Sequence, residues 1–146
     1  MRPLYTAVAT ASDQGRSGRA WTADRTMEVD LAVPGEMGGP GGGANPEQLF
    51  ALGYAACFAN AMRSAARRQR RENAVDGASV TANVDLGRTS DGRFELAVRL
   101  EITLPRLGQE DAESVVALAH HRCPYANATR GNIPVELVVT GGGPAA

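Results

Sequence analysis

Cys57 and Cys123 are the residues whose chemistry the rest of this sequence has to explain. A thiolate is a nucleophile toward electrophilic oxygen or sulfur, and two thiols within reach of each other can cycle between dithiol and disulfide. The opening segment MRPLYTAVATASDQG has no apolar core of the kind an export signal needs. A reducing compartment is therefore expected, where a transient or catalytic disulfide fits better than a permanent one. Taken alone, Cys57 in Ala55-Ala56-Cys57-Phe58 also reads as a small core hydrophobe. The second thiol opens the redox alternative, because Cys123 stands just before Pro124, where an extended backbone turns the side chain away from its own helix.

A free thiol ionises near pH 8.5, so a nucleophilic cysteine working at neutral pH needs a cation beside it. Every basic residue in this chain is arginine, which supplies a permanent charge and a fork able to hold both a thiolate and an oxygen. The lack of lysine excludes Schiff-base and amine-nucleophile chemistry. Three arginine groups are candidates: Arg16 with Arg19, the run Arg67-Arg68-Gln69-Arg70-Arg71, and Arg122 with Arg130 around Cys123. The run lies at least about 15 Å beyond Cys57 along a helix and is expected to be a solvated cap at its C-terminal end. No aromatic residues interleave it and the net charge is −1, so neither nucleic acid nor a membrane surface is an expected partner. His120-His121-Arg122-Cys123 offers too few ligands for zinc, and adjacent helical histidines diverge by about 100°. A Cys-His hydrolase using Cys57 and either histidine stays open as an alternative, without a local signature to support it.

The elements that must position these groups follow from periodicity. The length of 146 residues suits a single domain, 1–146. Leu4 to Ala11, Arg19 to Thr22 and Met27 to Val33 read as strands, the last by its alternation of Met27, Val29, Leu31 and Val33. The Gly38 to Gly43 loop lacks the residues of a nucleotide cradle and reads as a flexible connector or a cover over a pocket. Asn45, Pro46 and Gln48 form a helix start, and the helix is expected to run through LFALGYAACFANAMRSAARRQRR, about 25 residues or roughly 38 Å. Ser79 to Leu86 and Phe94 to Leu104 read as a hairpin, Gln109 to His121 as a second helix ending at Cys123-Pro124, and Ile133 to Thr140 as a closing strand before a loose Gly141 to Ala146 tail. The class is α+β, in the order βββ-α-ββ-α-β, with Cys57 on the long central helix. No segment approaches the roughly 18 apolar residues of a membrane span, and the protein is expected to be soluble and cytoplasmic.

Together these segments resemble the organic hydroperoxide resistance (Ohr) branch of the Ohr/OsmC superfamily. The resemblance rests on Leu4-Tyr5-Thr6-Ala7, Gly15-Arg16-Ser17-Gly18-Arg19-Ala20, Asn45-Pro46-Glu47-Gln48-Leu49-Phe50-Ala51, Gly53-Tyr54-Ala55-Ala56-Cys57-Phe58 and Cys123-Pro124-Tyr125-Ala126-Asn127-Ala128-Thr129-Arg130-Gly131-Asn132. It spans nearly the whole chain. Two positions depart from the family pattern: Ser17 stands where Asp is usual and Ala126 where Ser is usual.

The resemblance implies a peroxidatic Cys57, a resolving Cys123, and an Arg16–Glu47 pair that activates the thiolate and orients the peroxide. It also implies an intertwined homodimer, alkyl and fatty-acid hydroperoxides as substrates, no metal, haem or flavin, and re-reduction by dihydrolipoyl groups of a lipoylated protein. Phe50, Tyr54 and Phe58, with Leu52, would line a pocket for a greasy peroxide; ordinary core packing is the competing reading for them. In one straight helix Glu47 and Cys57 lie about 15 Å apart, so antiparallel crossing of two such helices in a dimer would make the site composite. The alternatives are an OsmC-type peroxidase and a non-enzymatic thiol switch.

Overall fold

The computed structural model describes residues 1–143. Residues 144–146 of the expected tail lie outside the described residues. Contacts divide the chain into two compact units, Met1–Leu49 and Phe50–Ala146.

The first unit holds a three-stranded antiparallel sheet of β1 (Ala9–Ala11), β2 (Arg19–Thr22) and β3 (Glu28–Asp30), in that order. β1 is shorter than the strand propensity of Leu4 to Ala11 predicts because its partner runs out. β2 stops at Thr22, where Asp24 accepts from Thr22 Oγ1 at 2.6 Å and from the Thr26 N–H at 3.1 Å and folds the chain over to β3. Ala23 N–H still reaches Val8 O at 2.8 Å, while Leu4 and Tyr5 are left exposed. β3 likewise ends early: Leu31 bridges to Ala44 in parallel, and Pro34 then removes a donor. The glycine loop is not a free connector. Gly41 N–H donates to Val33 O at 3.0 Å, and Ala44 N–H to Asp30 O at 2.9 Å, so both limbs are tied to the end of β3.

α1 (Pro46–Arg68) starts on the reciprocal capping box that Asn45 and Gln48 predict. Gln48 N–H donates to Asn45 Oδ1 at 2.9 Å and Asn45 N–H to Gln48 Oε1 at 3.1 Å. The helix ends before Arg71, with Arg70 in the left-handed region (φ 58) and the Arg71 N–H returning to Ala66 O at 2.8 Å.

In the second unit β4 (Ser79–Arg88) and β5 (Phe94–Leu104) form the expected hairpin, and β6 (Val135–Gly141) lies parallel to β5 on its other side. The central strand β5 buries Val98, Leu100, Ile102 and Leu104, alternate residues on one face. Against them pack Ala112, Val115, Val116 and Ala119 of α2 (Gln109–Arg122) and Tyr54, Phe58, Ala61, Met62 and Ala65 of α1. Each large apolar side chain so buried contributes roughly 1.5–3 kcal/mol.

Two corrections to the expected order come from this unit. A short helix, α3 (Pro124–Thr129), stands between α2 and β6, giving βββ-α-ββ-α-α-β. Pro124 ends α2, but it also suits the first position of the next helix, since it lacks the N–H that would be orphaned there. Gly141 belongs to β6 and Gly142 N–H donates to Leu104 O at 3.0 Å, so the tail is not loose from Gly141. No helix is long and apolar enough to cross a membrane among the described residues.

Candidate active site

Cys57 and Cys123 are 66 positions apart in sequence, and their sulfurs meet at 3.5 Å, both as free thiols. Cys57 projects from the middle of α1 and is half-buried, whereas Cys123 is fully buried. Cys123 sits at the junction of α2 and α3 with φ −68 and ψ 122, the extended conformation that a residue preceding proline favours. Its N–H donates to Ala119 O at 2.8 Å, and its carbonyl accepts from the Asn127 N–H at 2.9 Å. One residue thus closes one helix and opens the next, which fixes the direction of its side chain. Burial pushes the Cys123 thiol above its ordinary value, so at neutral pH it keeps its proton and donates toward Cys57. The sulfurs stand ~1.5 Å beyond disulfide distance.

The second pair lies in the first unit. Arg16 occupies the tight turn between β1 and β2, and Glu47 the first turn of α1. Their contact is bidentate, with Arg16 Nη1 to Glu47 Oε2 at 2.8 Å and Nη2 to Oε1 at 2.6 Å. The guanidinium's hydrogen bonds hold the Glu47 carboxyl below the usual carboxylate range, and the carboxylate raises Arg16 in turn. The Glu47 side chain is 15% exposed and that of Arg16 37%. The turn that presents Arg16 is tightly packed: a Cβ on Gly18 would fall 2.0 Å from Ser12 Oγ, which itself accepts from the Arg19 N–H at 3.1 Å.

Three of the other candidate arginines are engaged elsewhere. Arg19 pairs with Asp30 at 2.8 Å across β2 and β3, Arg71 with Asp111, and Arg130 donates to His120 O at 2.6 Å and Asn127 Oδ1 at 2.8 Å. His120 is held neutral chiefly by burial, with Arg130 and His121 adding to the effect, and its Nδ1 has no hydrogen-bond partner among the described residues. Neither histidine bonds a cysteine sulfur among those residues. No group of three or more His, Cys, Asp or Glu stands close enough to hold a metal ion among them.

The apolar candidates separate. Phe50 is half-buried and lines a cleft of about 420 Å³ with Phe94, Leu96, Ala128 and Ile133. Tyr54 and Phe58 are wholly buried in the core, and Leu52, expected beside them, is instead 68% exposed on the opposite side of α1. Around Tyr54 the structure gathers residues that spacing did not single out. Tyr54 OH lies 3.0 Å from Thr129 Oγ1, and Tyr125 packs against both Tyr54 and Phe50, with ring centroids 5.7 and 6.0 Å apart. Gly53 makes room for that ring: a Cβ there would stand 2.7 Å from Tyr125 Oη. A mid-helix glycine costs about 1 kcal/mol relative to alanine, so the close approach is what its presence serves. Beyond its place in the Cys123 to Asn132 segment, the sequence signal for Thr129 is indirect, since a buried tyrosine needs a partner for its hydroxyl.

Residues 39–138 match the OsmC-like protein family, a span that includes Glu47, Cys57 and Cys123. The organic hydroperoxide resistance protein of Xanthomonas axonopodis pv. citri is 44% identical over 137 residues, covering 93% of this chain and 94% of that protein. The chain belongs to the OsmC-like family, in its organic hydroperoxide resistance branch. Solved structures of the branch agree with its fold. A Vibrio cholerae putative organic hydroperoxide resistance protein, with captopril bound in one of its active sites, superposes with a TM-score of 0.88 at 47% identity, over 95% of this chain and 94% of that one. An Elizabethkingia anophelis organic hydroperoxide resistance protein gives a TM-score of 0.90 at 38% identity, over 97% and 100%. Arg16 lies outside the segment matched to the OsmC-like family, though the likeness to these relatives spans most of the chain.

Proposed function

We propose that the protein is a cysteine-based peroxidase that defends against organic hydroperoxides, reducing alkyl and fatty-acid peroxides to alcohols. The single observation that carries the proposal is the 3.5 Å approach of the Cys57 and Cys123 sulfurs. The Cys57 thiolate attacks the distal oxygen of ROOH; the O–O bond breaks, the alkoxide RO− departs and takes up a proton from solvent as ROH, and Cys57 becomes a sulfenic acid. The Cys123 thiol then displaces hydroxide from that sulfur, giving water and a Cys57–Cys123 disulfide. A dihydrolipoyl dithiol on a lipoylated protein restores both thiols by exchange. Catalysis needs no bound metal, haem or flavin in this scheme.

Arg16 stabilises the thiolate and the charge on the departing oxygen, and Glu47 holds its fork in place. Phe50, backed by Tyr54 and Phe58, forms the apolar wall for the peroxide's chain. The 146 residues work as one Ohr/OsmC-like domain within an intertwined cytoplasmic homodimer, in which Glu47 of one subunit serves Cys57 of the other. The relatives' name and the free, adjoining thiols support the peroxidase reading.

Steady-state consumption of cumene hydroperoxide with dihydrolipoamide tests it. Wild type turns over continuously and Cys57→Ser does not; a single stoichiometric burst in wild type would identify a thiol switch instead. Mixing Glu47→Ala with Cys57→Ser subunits tests the composite site, and heterodimers are expected to recover part of the activity.

A further inference from the structure

Cys123 closes α2 and caps the six-residue α3, so its place against Cys57 depends on where α3 sits as well as on α2. A helix that short does not hold itself together, because nucleation is unfavourable until several turns have formed. Something must fix α3 on α1. Thr129, the last residue of α3, is the one polar side chain buried among the described residues. Its hydroxyl lies 3.0 Å from Tyr125 O and 3.2 Å from Ala126 O. A hydroxyl has one proton, and here it goes to these carbonyls; the Tyr54 O–H therefore donates to Thr129 Oγ1 across 3.0 Å.

Tyr54 precedes Cys57 by one turn, on the same side of α1. Cys123 and Thr129 bracket α3. The two helices are thus joined at two points, sulfur to sulfur at one end of α3 and hydroxyl to hydroxyl at the other. Next to the Tyr54 junction the Tyr125 ring lies over Gly53. We infer that Tyr54 and Thr129 are positioning residues for disulfide closure: their hydroxyl pair fixes α3 on α1 and so sets the line along which Cys123 approaches the oxidised Cys57.

This inference rests on the Cys57–Cys123 disulfide of the proposed function. In the step concerned the Cys123 sulfur forms the S–S bond, the Cys57 S–O bond breaks, and hydroxide leaves with the thiol proton as water. Cys123 is oxidised and Cys57 reduced, with no other reactant. Such displacements depend steeply on alignment, and a misplacement of about 1 Å costs on the order of a hundredfold. Loosening α3 therefore prolongs the life of the sulfenic acid, which a second peroxide converts irreversibly to sulfinic acid.

The test uses the reduced full-length protein, one equivalent of cumene hydroperoxide, and quenching with dimedone at intervals. Mass spectrometry then gives the ratio of Cys57-dimedone adduct to Cys57–Cys123 disulfide. This partition follows oxidation and is blind to how fast peroxide binds. Thr129→Val and Tyr54→Phe are each expected to raise the ratio about tenfold, the double variant no further than either alone, and Thr129→Ser to restore it. Gly53→Ala, which favours the helix but displaces Tyr125, is expected to raise it as well, and serves if loss of the buried hydroxyl prevents folding. A ratio equal to wild type in Tyr54→Phe, Thr129→Val and Gly53→Ala, whatever their melting temperatures, would overturn the inference while leaving the disulfide reading intact. If wild type itself forms no Cys57–Cys123 disulfide, both fall together.

Discussion

The Arg16–Glu47 and Cys57–Cys123 pairs are built in opposite ways. Arg16 and Glu47 meet in a unit of short strands and tight turns, where the guanidinium keeps more than a third of its side chain in water. Cys57 and Cys123 meet in the packed unit, where Cys123 and its neighbours Tyr54 and Ala126 have no exposure at all. The difference follows from the chemistry each pair offers. Removing a full charge from water is expensive, and this ion pair stays near solvent and is held by bidentate geometry. Two thiols are cheap to bury and need a fixed approach, which only dense packing provides. The ion pair should accordingly answer to salt, pH and single-charge changes, and the thiol pair to the packing around it.

The largest effect expected in the packed unit is on Cys57→Ser, which should lower peroxide turnover by on the order of 10³-fold or more, as loss of a nucleophile does. Activity surviving near wild-type levels would remove the thiol pair from the chemistry. Leu100→Ala, deep under the same site, is expected to lower unfolding stability by roughly 2–5 kcal/mol, read from urea denaturation. The same measurement on Arg16→Lys should show little change, because its effect is on turnover. A lysine cannot make the two parallel bonds of the fork, and kcat/KM is expected to fall about 10- to 100-fold. Equal stability losses in Leu100→Ala and Arg16→Lys would erase the contrast.

The pH dependence of the ion pair is smaller. Arg16 depresses the Glu47 carboxyl, so the pair's contribution is complete above the ordinary carboxylate value near 4.5 and is lost as pH falls through the depressed folded value. Comparing wild type with Glu47→Gln, the stability difference should be full at neutral pH and disappear in acid. With Arg16 this exposed, it should not exceed about 1 kcal/mol. At the bottom of the scale, Arg93→Ala in the β4–β5 turn removes an exposed pair with Asp91 and should shift stability by less than about 0.5 kcal/mol.

Much of this arrangement is legible in the sequence where a local rule acts. β2 and β5 coincide with their predicted ranges because alternation and turn residues define both ends. The capping box at Asn45 and Gln48 needs only three residues of spacing and is found as predicted. α3 was illegible for a physical reason. Six residues carry too little periodicity, and a proline that stops one helix looks the same as one that starts another. β1 appeared longer in sequence because strand propensity in residues 4–8 acts without regard to a partner, and β2, four residues long as predicted, has none left to pair with them. The Tyr54–Thr129 bond links positions 75 apart, and no pattern in either segment points to the other.

The sequence by itself determined the chemical inventory: two thiols, arginine as the only basic side chain besides histidine, a capped long helix to carry Cys57, and motifs that place the chain in its family. Those depend on residue type and short spacing, which the chain carries with it wherever it goes. Tertiary structure alone decided that Cys123 loses all contact with water while Cys57 does not, that Arg19 serves a strand ladder while Arg16 grips Glu47, and that Tyr54 and Phe58 are core while Phe50 borders a cleft. Burial, pairing and distance between remote residues are properties of the packed arrangement, set by which surfaces exclude water together.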